Sequence, residues 1–375
     1  MKIRVEKDNL SEVLKIFREL PIVPGIFPTE HFQLSITYIS PDSFLVFKLV
    51  SNVYAEFFIP FQVLEKDAKD RFPLCVRRDL LDAFIRAAED VHGSKDVDFI
   101  FNEKEVLVKN GRRSARLAVS KEEANYGVEA KDLKKVALHK DAKDLILKST
   151  SFASVRPSEP EKNCVYLSEK NIYACRQTVA SRIKKVGIAS QALIIPLGFA
   201  GIWKSINEQG VLRTSKAVIN LKLKNGSISQ PLYEPGWKKF PISKLDGLFT
   251  SNDSESSAYF GMDSLVRAAD RFSLYISCAS EEERFAFIEF TPKKNEAILK
   301  AKIRSSEFVE ILKVSGVEGN NDKPFTYELS SDLFLPMIQV LKDTGEKQVL
   351  IARQKNSPFY LISAGNVLFA LATKG

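Results

Sequence analysis

The chain is poor in the residues that build metal and redox centres. Its 375 residues include four cysteines (Cys75, Cys164, Cys175, Cys278) and three histidines (His31, His92, His139). No two cysteines form a CxxC pair, and the histidines lie far from them in sequence. That spacing argues against a zinc site or a disulfide framework and leaves buried free thiols as the expectation. Long apolar runs are also missing. None approaches the roughly 20 residues that span a bilayer, and residues 1–10 are strand-like and charged rather than an apolar signal region. The expectation is an intracellular, cytoplasmic chain with no membrane segment. Walker A, GxGxxG, HExxH and GxSxG patterns are absent, and the 47 acidic residues are scattered without a pair that stands out. No enzymatic activity, cofactor or metal is expected.

What the chain does have is an ordinary soluble balance, 45% hydrophobic and 27% charged, with 26 phenylalanines that foretell aromatic-rich cores. The net charge of +8 suits a polyanionic partner such as nucleic acid.

A pattern recurs along the sequence. Amphipathic segments with basic residues on the polar side occur at 9–20, 78–91, 140–153, 197–207, 262–275 and 333–342, and short strand-like runs follow them. Six helices taken in pairs predict three similar units of roughly 125 residues, the first thing to test in a chain of this length. The boundaries fall at 1–125, 126–245 and 246–375, and the class is α+β, with two helices packed on antiparallel sheets in each unit.

In the first helix Asp8 or Asn9 can cap. Leu10, Val13, Leu14, Phe17 and Leu20 share one face, Lys15 and Arg18 lie opposite, and Pro21, Pro24 and Pro28 end the segment. Runs 43–50 and 53–59, separated by Ser51 and Asn52, suit a hairpin. The second helix sets Leu80, Leu81, Phe84, Ala87, Ala88 and Val91 inward, with Arg78, Arg86, Asp79, Asp82 and Asp90 outside. The third turns Leu145 and Ile146 inward and Lys140, Lys143 and Lys148 outward. The fifth buries Leu265, Val266, Ala269 and Phe272, while Arg267 and Arg271, four apart, share an outer face. In the last helix Pro336 argues for a start near Leu335.

The basic faces admit two readings. One is a solvated surface. The other is a positive lining, shared by the units, that contacts phosphates without reading bases. Its residues would be Lys15, Arg18, Arg78, Arg86, Lys140, Lys143, Lys148, Lys204, Arg267 and Arg271.

Several strings carry a resemblance. Residues 178–183 (TVASRI) resemble the TDGHRL segment of the bacterial-type sliding clamp, the beta subunit of the replicative DNA polymerase. Residues 233–240 (YEPGWKKF) are similar to that family's FPDYRRV connector, with Pro235, Trp237, Lys238 and Lys239 in matching order. Residues 258–272 (AYFGMDSLVRAADRF) resemble the opening of its third domain, and the chain stops on a strand as the family does.

The resemblance implies a closed head-to-tail homodimer of three-domain subunits. Such a six-domain ring surrounds double-stranded DNA without regard to sequence, with helices inside and sheets outside. It also implies a replicative polymerase and an ATP-driven clamp loader as partners, and no catalysis. A peptide cleft between the second and third domains would contain Thr178, Ala180, Arg182, Ile183, Pro235, Lys239, Phe240, Leu368, Phe369, Ala370, Leu371 and Ala372. The sequence departs from the family in two places. Val-Ala-Ser replaces Asp-Gly-His while Arg182 is kept, and the terminal VMPMRL becomes FALATK. These changes imply altered peptide specificity, as in a clamp of a phage or mobile element. The alternative is a clamp-like fold that does not encircle DNA and serves as a monomeric interaction module or a direct, non-specific DNA binder.

Overall fold

A computed structural model describes the chain except for residues 19–30, 40–41, 51–52, 66–73, 88–93, 103, 121–131, 157–158, 160–161, 177, 209, 233–239, 251–253, 281–283, 292–295, 320–324, 356–358 and 373–375. The chain begins with β1 (Lys2–Glu6), α1 (Lys7–Arg18), β2 (His31–Ile39), β3 (Asp42–Val50), β4 (Tyr54–Glu65), β5 (Leu74–Arg77), α2 (Arg78–Ala87), β6 (Asp96–Phe101), β7 (Glu105–Asn110), β8 (Arg113–Ser120) and β9 (Lys134–Lys135). Next come α3 (Ala142–Ser149), a 3₁₀ turn (Thr150–Phe152), β10 (Cys164–Leu167), β11 (Asn171–Arg176), β12 (Val179–Lys184), β13 (Leu193–Pro196), α4 (Leu197–Ser205), β14 (Val211–Thr214), β15 (Val218–Leu223) and β16 (Gly226–Pro231). The last third holds α5 (Ile242–Thr250), β17 (Ser254–Gly261), α6 (Met262–Ile276), β18 (Phe285–Thr291), β19 (Glu296–Ile303), β20 (Ser306–Gly319), β21 (Phe325–Ser330), α7 (Ser331–Lys342), β22 (Gln348–Gln354), β23 (Phe359–Ala364) and β24 (Val367–Ala372).

These elements form two compact units. The first joins Met1–Ala137 with Gly198–Glu234, and the second joins Leu138–Leu197 with Pro235–Gly375. Among the described residues each unit holds one twelve-stranded sheet. In the first unit the order is β1-β6-β7-β8-β5-β2-β3-β4-β16-β15-β14-β9, and a further pairing of β1 with β4 closes the first eight strands on themselves. In the second unit the order is β13-β10-β11-β12-β24-β23-β22-β17-β20-β19-β18-β21.

Alternation dictates which residues make the cores. Along β6, Val97, Phe99 and Phe101 are buried while the residues between them are half-exposed, as period-two side chains require. α1 buries Leu10, Val13, Leu14 and Phe17, and the Phe17 ring meets Phe57 of β4 edge-on at 5.5 Å. In the second unit Phe272 of α6 meets Phe334 of α7 edge-on at 5.5 Å, and Phe152 packs on Phe369 at 4.8 Å.

Both sheets are built from three-strand meanders. One kind runs β2-β3-β4, β10-β11-β12 and β18-β19-β20. The other runs β6-β7-β8, β14-β15-β16 and β22-β23-β24. The last strand of the second kind joins the last strand of the first: β16 pairs with β4, and β24 pairs with β12. Gly226 opens the first joint. A Cβ there would lie 2.4 Å from the Glu56 carbonyl oxygen, so only glycine allows the backbones this close.

Four expectations are corrected. Leu80 is 46% exposed and Asp82 is buried, because α2 turns Leu81 and Ile85 into the core instead. α7 begins at Ser331 and carries Pro336 inside it. Burial of Leu333, Phe334, Met337 and Ile338 outweighs the one backbone hydrogen bond that proline removes. Cys278 is exposed, unlike Cys164 and Cys175; the Cys75 side chain lies outside the described residues. Among the described residues a seventh helix, α5, was not expected, and it runs across the boundary at 245.

Candidate partner cleft and basic helix faces

Strand registers collect a row of side chains on one face of the second unit's sheet. Tyr166 of β10 faces Tyr173 of β11, Tyr173 faces Arg182 of β12, and Arg182 faces Leu368 of β24. Two residues away, Ala180 faces Ala370, and beyond it the Ala372 N–H donates to the Thr178 carbonyl at 2.9 Å. Six of the expected cleft residues, Thr178, Ala180, Arg182, Leu368, Ala370 and Ala372, therefore share this face. Ile183, Phe369 and Leu371 point to the other face, where Phe369 meets Phe152. Pro235 and Lys239 lie outside the described residues.

Helix α5 and the segment before it cover this row. The Phe240 ring stacks on Tyr166 with centroids 5.3 Å apart. The Arg182 guanidinium is buried, with its carbon 4.8 Å from the centre of the Phe249 ring, a cation–π contact. Its Nη2 donates to the Phe249 carbonyl at 3.4 Å, and its Nη1 lies 3.7 Å from Asp246 Oδ1. The Tyr173 hydroxyl donates to the same Asp246 oxygen at 2.7 Å and accepts from Asn171 Nδ2 at 3.0 Å. Burial first, then the Asp246 carboxylate, pushes the Tyr173 hydroxyl well above the ordinary phenol range, so it remains a donor. Arg182 Nε has no hydrogen-bond partner among the described residues. Tyr166, Tyr173, Asp246 and Phe249 were not singled out from sequence. The tyrosines become neighbours only through the β10–β11 register, and the other two sit on the unexpected helix.

A cavity of about 400 Å³ opens on the opposite, helix-bearing side of β12 and β24. Ile183 and Val367 form its floor, and Lys140, Lys148, Lys185, Asp144 and Asp343 stand around it. Its charge is mixed, not purely basic.

The helix cations divide by partner. In the first unit Arg18 and Arg86 both approach the buried Asp82 at 3.1 Å, while Lys15 and Lys204 are exposed and make no ion pair among the described residues. The Arg78 side chain lies outside the described residues. In the second unit Lys148 bridges Asp144 at 2.5 Å and Asp343 at 2.8 Å, tying α3 to the end of α7. Arg271 is held by both oxygens of Glu310 on β20. Lys140 and Arg267 are exposed, again without an ion pair among the described residues. Lys143 is half-buried, and burial lowers its pKa below the usual lysine value.

No protein-family model matches the sequence, and no curated protein does. Solved structures do match. A putative DNA polymerase III beta subunit from Eubacterium rectale superposes with a TM-score of 0.75 at 13% identity, over 100% of this chain and 99% of that one. The chain has the fold of the DNA polymerase III beta subunit. The beta subunit from Pseudomonas aeruginosa gives a TM-score of 0.75 at 14% identity, with both chains covered in full. A Helicobacter pylori beta clamp, bound to a DNA ligase peptide, gives 0.73 at 13% identity, again over both whole chains. The clamp fold thus accounts for the whole length. Among the described residues no helix is long and apolar enough to cross a membrane.

Proposed function

We propose that this chain is a sliding clamp, three clamp-type domains (1–125, 126–245, 246–375) that make half of a ring around duplex DNA. One observation carries the reading. The chain makes the same strand joint twice, β4 with β16 and β12 with β24, and leaves one end of each kind over. β8 pairs with β7 through Asn110↔Arg113, and with β5 only at Val119 and Ser120. β20 pairs with β19 up to Lys313 and with β17 only from Val314. Residues 114–118 and 306–313 each keep one edge without a strand partner among the described residues. Bare edges of this kind call for a partner. A second copy supplies both, and a head-to-tail contact whose rotation closes gives a ring.

The role follows from the chemistry of such a ring. Topology holds the DNA, so contacts to phosphate need only be weak and sequence-independent. Helix faces on which some cations are already paired with Asp82, Asp144, Asp343 or Glu310, and others (Lys15, Lys140, Lys204, Arg267) are not, suit that demand. The ring performs no catalysis and needs no cofactor; a clamp loader opens it and a replicative polymerase is its client. The client's peptide lies against the α5 side of β12 and β24, at the rim formed by Thr178, Leu368 and Ala372 beside the covered Arg182 row. The peptide-bound Helicobacter clamp supports a peptide as the ligand class.

The test compares nicked circular plasmid with the same plasmid cut once. The protein should survive a high-salt wash on the circle and be lost from the linear form. Equal, salt-labile binding to both would point instead to a direct non-specific DNA binder.

A further inference from the structure

Asp82 is an acidic residue that the sequence pattern sets at the surface and the fold does not. It stands in the middle of α2 with its side chain 7% exposed. A carboxylate removed from water is tolerated only beside compensating charge. Two guanidiniums supply it. Arg18 ends α1, and its Nε lies 3.1 Å from Asp82 Oδ1. Arg86 stands in the last turn of α2, one helical turn beyond Asp82, and its Nε lies 3.1 Å from Oδ2. One carboxylate therefore holds two cations, and each cation also sits at a helix C-terminus, where positive charge is favoured.

The two arginines are held but not buried. Their side chains are 39% and 54% exposed, whereas the carboxylate lies beneath them. The hold on Arg18 is also loose in direction. Asp82 Oδ1 accepts no hydrogen bond among the described residues despite the short distance, so charge and not an aimed N–H keeps Arg18 there. A forked, bidentate pair would resist exchange more strongly. Oδ1 itself is enclosed. An anion from outside can reach the guanidiniums and cannot reach that oxygen, so the step open to it is to draw an arginine away. Doing so strips a buried charge of a partner, which is unfavourable.

We propose that Asp82 is a positioning residue for the contact with DNA: it detains Arg18 and Arg86 against the α1–α2 pair and keeps both out of full contact with phosphate. This inference rests on the ring reading and specifies how firmly the ring's lining grips its DNA. A ring that moves along DNA needs cations that attract phosphate without fixing to it. The first unit meets that need with two populations. Lys15 and Lys204 are exposed and make no ion pair among the described residues. Arg18 and Arg86 act only through the balance between Asp82 and phosphate. Asparagine in place of Asp82 keeps the shape of the side chain, removes the charge that detains the arginines and frees both. Each freed cation that neutralises a phosphate displaces counterions, so the salt dependence of binding counts the cations engaged. A merely structural tie between α1 and α2 would change stability and leave that count alone.

The experiment titrates the full chain onto a short linear duplex by fluorescence anisotropy across a salt series. Asp82→Asn and the smaller Asp82→Ser are separate routes to the same release, and thermal melting checks that each variant is folded. Both should bind about tenfold more tightly at low salt, and the slope of log K against log salt should steepen by about 1.8, roughly 0.9 for each freed arginine. Adding Arg86→Gln to Asp82→Asn should take back about half of the added slope, and adding Arg18→Gln as well should take back the rest. An unchanged slope in both Asp82 variants, or a steeper slope that persists without Arg18 and Arg86, overturns the assignment. The nicked-circle assay separates this outcome from failure of the ring. Wild-type protein retained on the circle, with no change of slope in the Asp82 variants, overturns the assignment and leaves the ring standing. Wild-type protein lost from the circle as readily as from the linear form removes the ring and the assignment with it.

Discussion

Arg182 shows how one side chain can be legible in kind and not in setting. The TVASRI string marks it, yet the string gives no sign that the guanidinium is buried beneath Phe249 and beside Asp246. Burial of a charge is tolerated only with partners, and these two lie more than 60 residues away in sequence, on a helix whose pattern is weak. The expected result of Arg182→Ala is a loss of about 2 kcal/mol of stability, below the roughly 3–5 kcal/mol of a fully buried broken pair because Asp246 is partly solvated. Arg182→Met, which refills the space over Phe249, should recover roughly half of that through packing. Urea denaturation followed by circular dichroism reads both. Ile183, Phe369 and Leu371 teach the same lesson. Their strings stand out in the sequence, but register turns them to the helix side of the sheet.

Elements were more legible than their neighbours. The six expected helices are present, and α1 and α6, with apolar stripes at helical spacing, are the plainest cases. α5 was not expected, although its two buried residues, Leu245 and Phe249, lie four apart on one face. The strands were visible as short alternating runs, but their order was not, since pairing depends on contacts distant in sequence. β4 meeting β16 is the extreme case, and no residue in either strand announces the other. Gly226 is the exception in hindsight, a glycine whose space is taken by the backbone of β4. Gly226→Ala is expected to cost about 1–3 kcal/mol, as overpacking does. It should also speed amide exchange of Glu56 and Phe58, whose N–H groups point across this joint as the Phe58 bond to the Asn225 carbonyl shows, well before that of the β12–β24 joint. Uniform loss of protection across both joints would mean the glycine matters for the unit as a whole and not for this pairing.

At the scale of the whole molecule the repeat was the strongest signal. It led to the right fold although identity to the solved clamps is 13% and 14% in the structures compared. Hydrophobic pattern and element order carry that fold here with few of the letters of TDGHRL and VMPMRL. Assembly was least legible, because a ring interface is made of edges, and edges show only once the internal pairings have been assigned. In the proposed ring, two copies of this chain complete one another through the bare edges of β8 and β20. Light scattering across a dilution series near physiological salt measures that assembly. The expected species has twice the 42.2 kDa mass of the chain and persists on dilution into the nanomolar range. A mass of 42.2 kDa at every concentration would contradict the ring.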